Sequence, residues 1–314
     1  MRTLRMAALG AAVASALALS VPASSASSAS SAAPSAGTAS ARHGAKPIAG
    51  TARPALAAAN TLSLQTAGKT GVVSPAPKVY LVFWGSQWSK DPAKVSADMQ
   101  AMFKGLHGAS DTWGTILTQY CENAPKGTTK CPSTATFITH PSSSILAGVW
   151  TDNAAAAPSS ATQAQIAAEA KKAAGHFGNT TQTPNLNAQY VILSATGTHP
   201  DGFPNSGFCA WHDFTSTTYG KLAYTNMPYI PDLGAGACTT FTDGRLLSGI
   251  ESTETHEYAE TVTDFWPTDG WYNASGGEIG DECQDQDAYL TLSTGTFDVQ
   301  GLWSNKANAC VTHG

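Results

Sequence analysis

Two stretches of the chain carry the unbroken β-branched and aromatic pattern of a strand covered on both faces. Lys78 to Trp84 reads Lys-Val-Tyr-Leu-Val-Phe-Trp and stops at Gly85, and Asn187 to Ser194 contains Ala-Gln-Tyr-Val-Ile-Leu-Ser. Neither alternates apolar with polar, as a half-solvated strand would. Elsewhere the period lengthens. From Asp91 to Leu106 the apolar positions are Val95, Met99, Met102, Phe103 and Leu106, which is helical spacing. Asp91 is placed to cap that helix and Pro92 to open it. Ser159 to Phe177 is rich in Ala and Lys and predicts a second helix, capped near Ser160; Ile250 to Thr263 predicts a third. Weaker patterns predict a short helix or turn over Thr112 to Tyr120 and a strand around Ile145 to Trp150. They also predict strands at Phe208 to His212 and Leu222 to Met227. Strands alternating with helices define an α/β class, with α+β as the variant, and a three-layer body around a mixed central sheet. With no internal repeat and no second linker, residues 60–314 read as one domain.

The N-terminal pattern is of another kind. Arg2 and Arg5 precede an apolar run from Met6 to Val21 that Pro22 breaks, and Ala26 ends a small-residue cleavage candidate. Residues 1–26 therefore read as a secretory signal peptide, too short for a stable membrane span. Residues 27–59 are dominated by Ala, Ser, Gly and Pro with no aromatic residue. Such a leader buries too little apolar surface to offset its chain entropy and is expected to be disordered. A pro-segment role is the alternative, although the stretch lacks the amphipathic body of a folded inhibitor.

Composition narrows the function classes. The 22 acidic and 17 basic side chains of the 314 residues give a formal charge of −5. An acidic balance excludes a dedicated nucleic-acid binder, which needs a basic face, and disfavours docking on anionic lipid. No later stretch is apolar for long enough to insert in a membrane. Six cysteines in an exported chain predict three disulfides. Of the 15 pairings that six cysteines allow, the sequentially nearest (Cys121–Cys131, Cys209–Cys238, Cys283–Cys310) is preferred because it closes short loops. No CxxC spacing supports a cysteine metal site.

The chemistry concentrates in the third helix, Ser252-Thr-Glu-Thr-His256-Glu257-Tyr-Ala-Glu260. His256 and Glu260 stand four apart and share a helix face, so both can point at one ion, with Glu257 beside them. This is HExxE in place of the metalloprotease HExxH, whose Glu is the general base on metal-bound water. Glu278, 18 residues after Glu260, arrives in Gly276-Gly277-Glu278-Ile-Gly-Asp281. That return resembles the third ligand and supporting Asp of thermolysin-like zinc peptidases. The expected set is His256, Glu260 and Glu278 as ligands, Glu257 as base, and Asp281 accepting the free ring N–H of His256. The cation would be zinc, or another divalent ion that favours oxygen, since two carboxylates harden the site. The bland alternative is a solvated acidic helix face with a structural histidine.

Other features carry less. His212, in Phe208-Cys-Ala-Trp-His, reads first as a satisfied structural residue and second as a substrate contact. Trp271 and Tyr272, with Trp84, Trp88, Trp211 and Trp266, read either as core or as the wall of a sugar groove. The acids Glu278, Asp281, Glu282, Asp285 and Asp287 read as an acidic turn in preference to a calcium site. There is no G-x-S-x-G elbow, no G-x-G-x-x-G and no Walker sequence.

Taken in order, several segments resemble the exordium (phosphate-induced protein) family. They are Lys78 to Gly85, Tyr190 to Ser194, Gly207-Phe-Cys209 with His212, and Tyr224-Thr-Asn226. The His256-to-Glu260 helix, Gly270-Trp-Tyr272 and Glu278-Ile-Gly-Asp281-Glu-Cys283 complete the set. The resemblance implies a protein acting outside the cell in cell-wall or growth responses, without implying a reaction. Two functions follow as expectations: a secreted zinc-peptidase-like hydrolase acting on a peptide or cell-wall-derived substrate, and a non-catalytic extracellular binding or signalling protein. The sequence leaves the oligomeric state open.

Overall fold

The computed structural model describes residues 46–48 and 60–314. The signal-peptide reading of residues 1–26 lies outside the described residues, as does most of the leader.

The central sheet has five strands: β1 (Lys78–Trp84), β2 (Leu146–Asp152), β3 (Ala188–Ser194), β4 (Trp211–Thr217) and β5 (Gly220–Met227). They lie side by side in the order β2-β1-β3-β5-β4. The first four are parallel, and β4 closes one edge antiparallel to β5. All seven residues of β3 are buried, as its unbroken apolar run requires of a strand covered on both faces. β2, at the other edge, alternates between half-buried and exposed.

Three helices pack on this sheet: α1 (Val95–Gly105), α2 (Gln163–His176) and α3 (Ser248–Thr263). Successive side chains of β3 point to opposite faces, which places two of the helices. Tyr190 stacks on Tyr80, which meets Phe177 at the end of α2. Gln189 points the other way and donates to Thr225 Oγ1 (2.6 Å) and to Thr261 Oγ1 of α3 (3.1 Å). The sheet is thus sandwiched between α2 and α3, a layered mixed-sheet fold of the expected class. α1 packs against β1 and β2. A hairpin, β6 (Asp287–Leu292) and β7 (Gly295–Gln300), lies along α3.

Element ends moved for identifiable reasons. α1 begins at Val95, because Lys94 adopts a left-handed conformation. Asp91 still acts as a cap, accepting from the amides of Val95 (3.0 Å) and Ser96 (2.9 Å). The cap of α2 is Thr162 rather than Ser160, since Gln165 three residues on completes a reciprocal capping box. The strand expected at Phe208 begins instead at Trp211. Phe208 forms an isolated antiparallel bridge with Pro47, so part of the supposedly structureless leader is built into the body.

Three disulfides join Cys121–Cys131, Cys209–Cys238 and Cys283–Cys310, leaving no free cysteine. No helix among the described residues is long and apolar enough to cross a membrane. The disulfides fit an extracellular protein.

Two helical glycines give opposite predictions. A Cβ on Gly249 of α3 would lie 1.9 Å from the Ala237 carbonyl oxygen, whereas one on Gly175 of α2 would meet nothing closer than 3.4 Å. Gly249→Ala is expected to destabilise by about 1–3 kcal/mol through overpacking. Gly175→Ala is expected to stabilise by up to about 1 kcal/mol through helix propensity. Denaturant unfolding of both variants checks the pair; equal shifts would contradict the assigned packing of α3.

Candidate functional site

Helix α3 is rich in polar residues from end to end, yet all sixteen of its residues are buried. A polar helix with no exposed face must satisfy its side chains inside the protein. Its four glutamates, Glu251, Glu254, Glu257 and Glu260, follow at intervals of three and are all fully buried. Glu251 takes both guanidinium nitrogens of Arg245 and the amide of Asp298 (2.7 Å). Glu254 has no hydrogen bond to either oxygen, and burial pushes its carboxyl well above the usual range. Glu257 and Glu260 turn toward the sheet edge, where they meet β4.

His212 of β4 stands among two of these acids and Glu278. Its Nδ1 lies 3.4 Å from Glu257 Oε2 and 3.8 Å from Glu260 Oε2; its Nε2 lies 3.6 Å from Glu278 Oε1. On the other side, His256 Nε2 lies 3.2 Å from the same Glu260 Oε2. Glu260 Oε2 therefore faces two imidazoles, one from its own helix and one from the sheet.

The tautomer of His256 follows from its neighbours. Gln300 Nε2 donates to the Gly280 carbonyl (2.8 Å), which turns Gln300 Oε1 toward His256 Nδ1 at 3.1 Å. The ring proton then belongs on Nδ1, and Nε2 presents a lone pair to Glu260 Oε2. Neither atom has a hydrogen-bond partner, and the same is true of Glu257 Oε2 and Glu278 Oε1. Lone pairs converging in a buried site call for a proton or a cation between them.

The electrostatics agree. Burial, then the neighbouring Glu260 and Glu254, push the Glu257 carboxyl well above the usual range. Burial followed by Glu260 and Asp264 does the same to Glu278. Asp264, just past the end of α3, is raised to about 7 by burial, against the opposing hydrogen bonds from Tyr272 and the amides of Gly270 and Thr268.

Three overlapping groups place ligand atoms within 4.8 Å of one another: His212, Glu257 and Glu260; His256, Glu260 and Asp281; and His212, Asp264 and Glu278. The structure thus brings together every acid and imidazole that the sequence singled out, but in a different arrangement. Glu278 sits with His212 and Asp264 rather than with His256. Asp281 is not the acceptor of the His256 ring N–H; Gln300 is, and the Asp281 amide donates to Glu260 Oε1 (2.9 Å). Gly280 makes this close approach possible, since a Cβ there would lie 2.6 Å from His256 Nδ1.

Other readings change as well. His212 is a central member of the cluster, not a bystander beside a disulfide. Trp271 is fully buried and donates to the Cys121 carbonyl (2.9 Å), so it is core rather than groove wall. Tyr272 is buried too and donates to Asp264. Asp287 of the acidic stretch is tied inward, accepting from Ser252 Oγ (2.5 Å) and the Thr240 amide (2.6 Å). Gln300 and Lys46, whose amide lies 3.4 Å from Glu257 Oε1, carried no sequence signal.

No family model, curated protein or solved structure matches the chain.

Gln300→Leu tests the tautomer assignment. It leaves the His256 Nδ1–H buried without an acceptor and is expected to cost about 1–3 kcal/mol. Nitrogen-15 NMR of labelled histidines should show the Nδ1–H form for His256 in the wild type and a redistributed population in the variant. A wild-type signal from the Nε2–H form would refute the assignment.

Proposed function

We propose that this chain is a secreted metal-dependent hydrolase with peptidase-like chemistry, built on His256, Glu260 and Asp281 with His212 facing Glu260 from the sheet. The observation that carries the reading is the pair of imidazoles facing Glu260 Oε2, with the lone pair of His256 Nε2 aimed at that oxygen from 3.2 Å. His256, Glu260 and Asp281 place one imidazole nitrogen and two carboxylate oxygens within 4.8 Å of one another, a donor set suited to zinc or to another divalent ion that favours oxygen. The outer ring nitrogens suit it as well. Nδ1 of His256 faces Gln300, and Nε2 of His212 faces Glu278, so each imidazole has an oxygen behind it to hold its orientation. Glu278, expected as a ligand, then serves as the group that orients His212. Asp281 remains near enough to His256 and Glu260 to complete the set.

A divalent ion there would supply positive charge to polarise a carbonyl and acidify a water. Glu257 supplies the base. Its Oε2 carries no hydrogen bond, and its carboxyl is held well above the ordinary range. Such a carboxylate takes a proton from water more readily than a solvated one and can return it to a leaving amine. The exordium resemblance is compatible with this reading and adds the extracellular setting.

The second reading is a non-catalytic extracellular binding protein. It draws support from burial: His256, Glu257 and Glu260 are all fully covered.

Metal analysis of the secreted protein, purified without chelator, separates the two. The hydrolase reading expects about one divalent ion per chain, its loss in His256→Ala, and a lower unfolding temperature in EDTA. It also expects Glu257→Gln to keep the ion while peptidase activity falls by roughly 10²–10⁴-fold. An ion with no hydrolytic activity supports the binding protein. A metal-free protein whose melting ignores EDTA overturns the metal centre altogether.

A further inference from the structure

The site is covered by the protein's own N-terminal segment. Lys46 to Ile48 run antiparallel beside Gly207 to Cys209. The Lys46 carbonyl accepts from the Cys209 amide (2.6 Å), the Ile48 amide donates to the Gly207 carbonyl (3.1 Å), and Pro47 is the bridge partner of Phe208. The Cys209–Cys238 disulfide braces the receiving edge. This is strand addition, a common way in which a protein holds an extended peptide: main-chain bonds give register, and side-chain pockets give selectivity.

The side chain supplies the pocket. Lys46 is only 3% exposed. Its ammonium donates to Ser252 Oγ (2.5 Å), which passes its own proton to Asp287 Oδ1 (2.5 Å). Burial pulls the ammonium below its ordinary value, and the carboxylates of Asp287, Asp298, Glu257 and Glu260 oppose that by attracting the charge. The Lys46 amide also donates to Glu257 Oε1 at 3.4 Å, so the segment engages the base itself. An ammonium buried this deeply in a composition-biased leader, 206 positions from its Ser252 partner, is costly unless the receiving pocket is shaped for it.

We propose that residues 46–48 occupy the protein's substrate cleft as a built-in ligand, and that the cleft takes an extended polypeptide with a lysine side chain seated among Ser252, Asp287 and Asp298. This assigns a substrate class to the centre described above and rests on that reading for the chemistry, though not for the binding. It also accounts for the burial of the proposed centre: residues 46–48 lie against Glu257, and their displacement opens the cleft.

The probe is a fluorescein-labelled peptide with the sequence of residues 44–50, Gly-Ala-Lys-Pro-Ile-Ala-Gly, followed by anisotropy. In the intact wild-type chain the tethered segment competes at an effective concentration in the millimolar range, so the probe should bind poorly. The full chain with Lys46→Glu places a carboxylate against four others and should release the segment. The probe is then expected to bind this variant at least about tenfold more tightly than wild type, and a probe with Glu in place of Lys to bind neither. A second preparation guards against misfolding: the wild-type chain with a site-specific protease sequence placed within residues 49–59, cleaved and incubated with excess probe. Equal binding to wild type and both opened forms, or no binding to either opened form, overturns the proposal. Running each titration with EDTA and with zinc keeps the two conclusions apart. Lysine-selective binding without metal uptake or hydrolysis retains the cleft and removes the hydrolase; hydrolysis with no effect of the segment does the reverse.

Discussion

The constraint on which the structure depends is the complete burial of a helix rich in carboxylates. Glu251, Glu254, Glu257 and Glu260 all lie inside α3, where an ionised carboxylate without a partner would be far more costly than the fold's net stability allows. The protein meets this differently at each turn. Glu251 is ion-paired with Arg245. Glu254, without hydrogen bond or cation, is held in its neutral form. Glu257 receives a single amide from the leader, and Glu260 receives one from Asp281. Satisfaction is thus uneven along the helix: Glu251 is fully paired, Glu254 has no hydrogen bond, and Glu257 and Glu260, which face β4, each keep one oxygen without a hydrogen bond. A protein that only needed a buried helix would be served by apolar side chains at these positions. The retention of half-satisfied acids at one end points to use of their charge.

The layers of the fold set up that end of the helix. β3 is buried on both faces and fixes the register of β5, which in turn fixes β4 through the antiparallel pairing of His212 with Thr225. A shift of one residue in β4 would carry His212 to the other face of the sheet. The hairpin of β6 and β7 holds the opposite flank: the amides of Asp298 and Gln300 are bound by Glu251 and Thr255 of α3. Gln300 is therefore aligned with His256 by backbone pairing, and the tautomer is a consequence of strand register.

How far this was legible in the sequence depends on the range over which each contact is made. Contacts along one element could be read. The spacing of His256, Glu257 and Glu260 on a helix needs only helical geometry, and the apolar runs of β1 and β3 need only solvent exclusion. The double glycine before Glu278 announced a chain returning to the helix. Contacts made by sheet register could not be read. His212 lies 44 positions before His256 with no fixed spacing between them, and nothing local separates it from a structural histidine. Gln300 is an ordinary strand residue until the hairpin is placed. Lys46 was hidden more deeply, because a segment of Ala, Ser, Gly and Pro has no apolar pattern. It is held by main-chain bonds and one ammonium, which leave no trace in hydrophobicity.

Charge explains why that ammonium and a divalent ion need not exclude each other. Lys46 is drawn chiefly by Asp287 and Asp298, on the flank formed by the hairpin, and more weakly by Glu257 and Glu260. The imidazoles face Glu260 from the other side. On the proposed reading the site has two positive positions: one at Glu260, and one beside Ser252. Asp298 shows how strongly the second is needed. Burial and Asp287 raise its carboxyl to about 8, against the pull of Thr239 and Lys46. Removing the segment without replacing its charge would take away the Lys46 attraction that offsets the repulsion between Asp287 and Asp298, and would raise the Asp298 carboxyl further. A neutral peptide cannot relieve that repulsion and an acidic one worsens it, which makes the acid pair, rather than the main-chain edge that any strand could use, the source of selectivity for lysine.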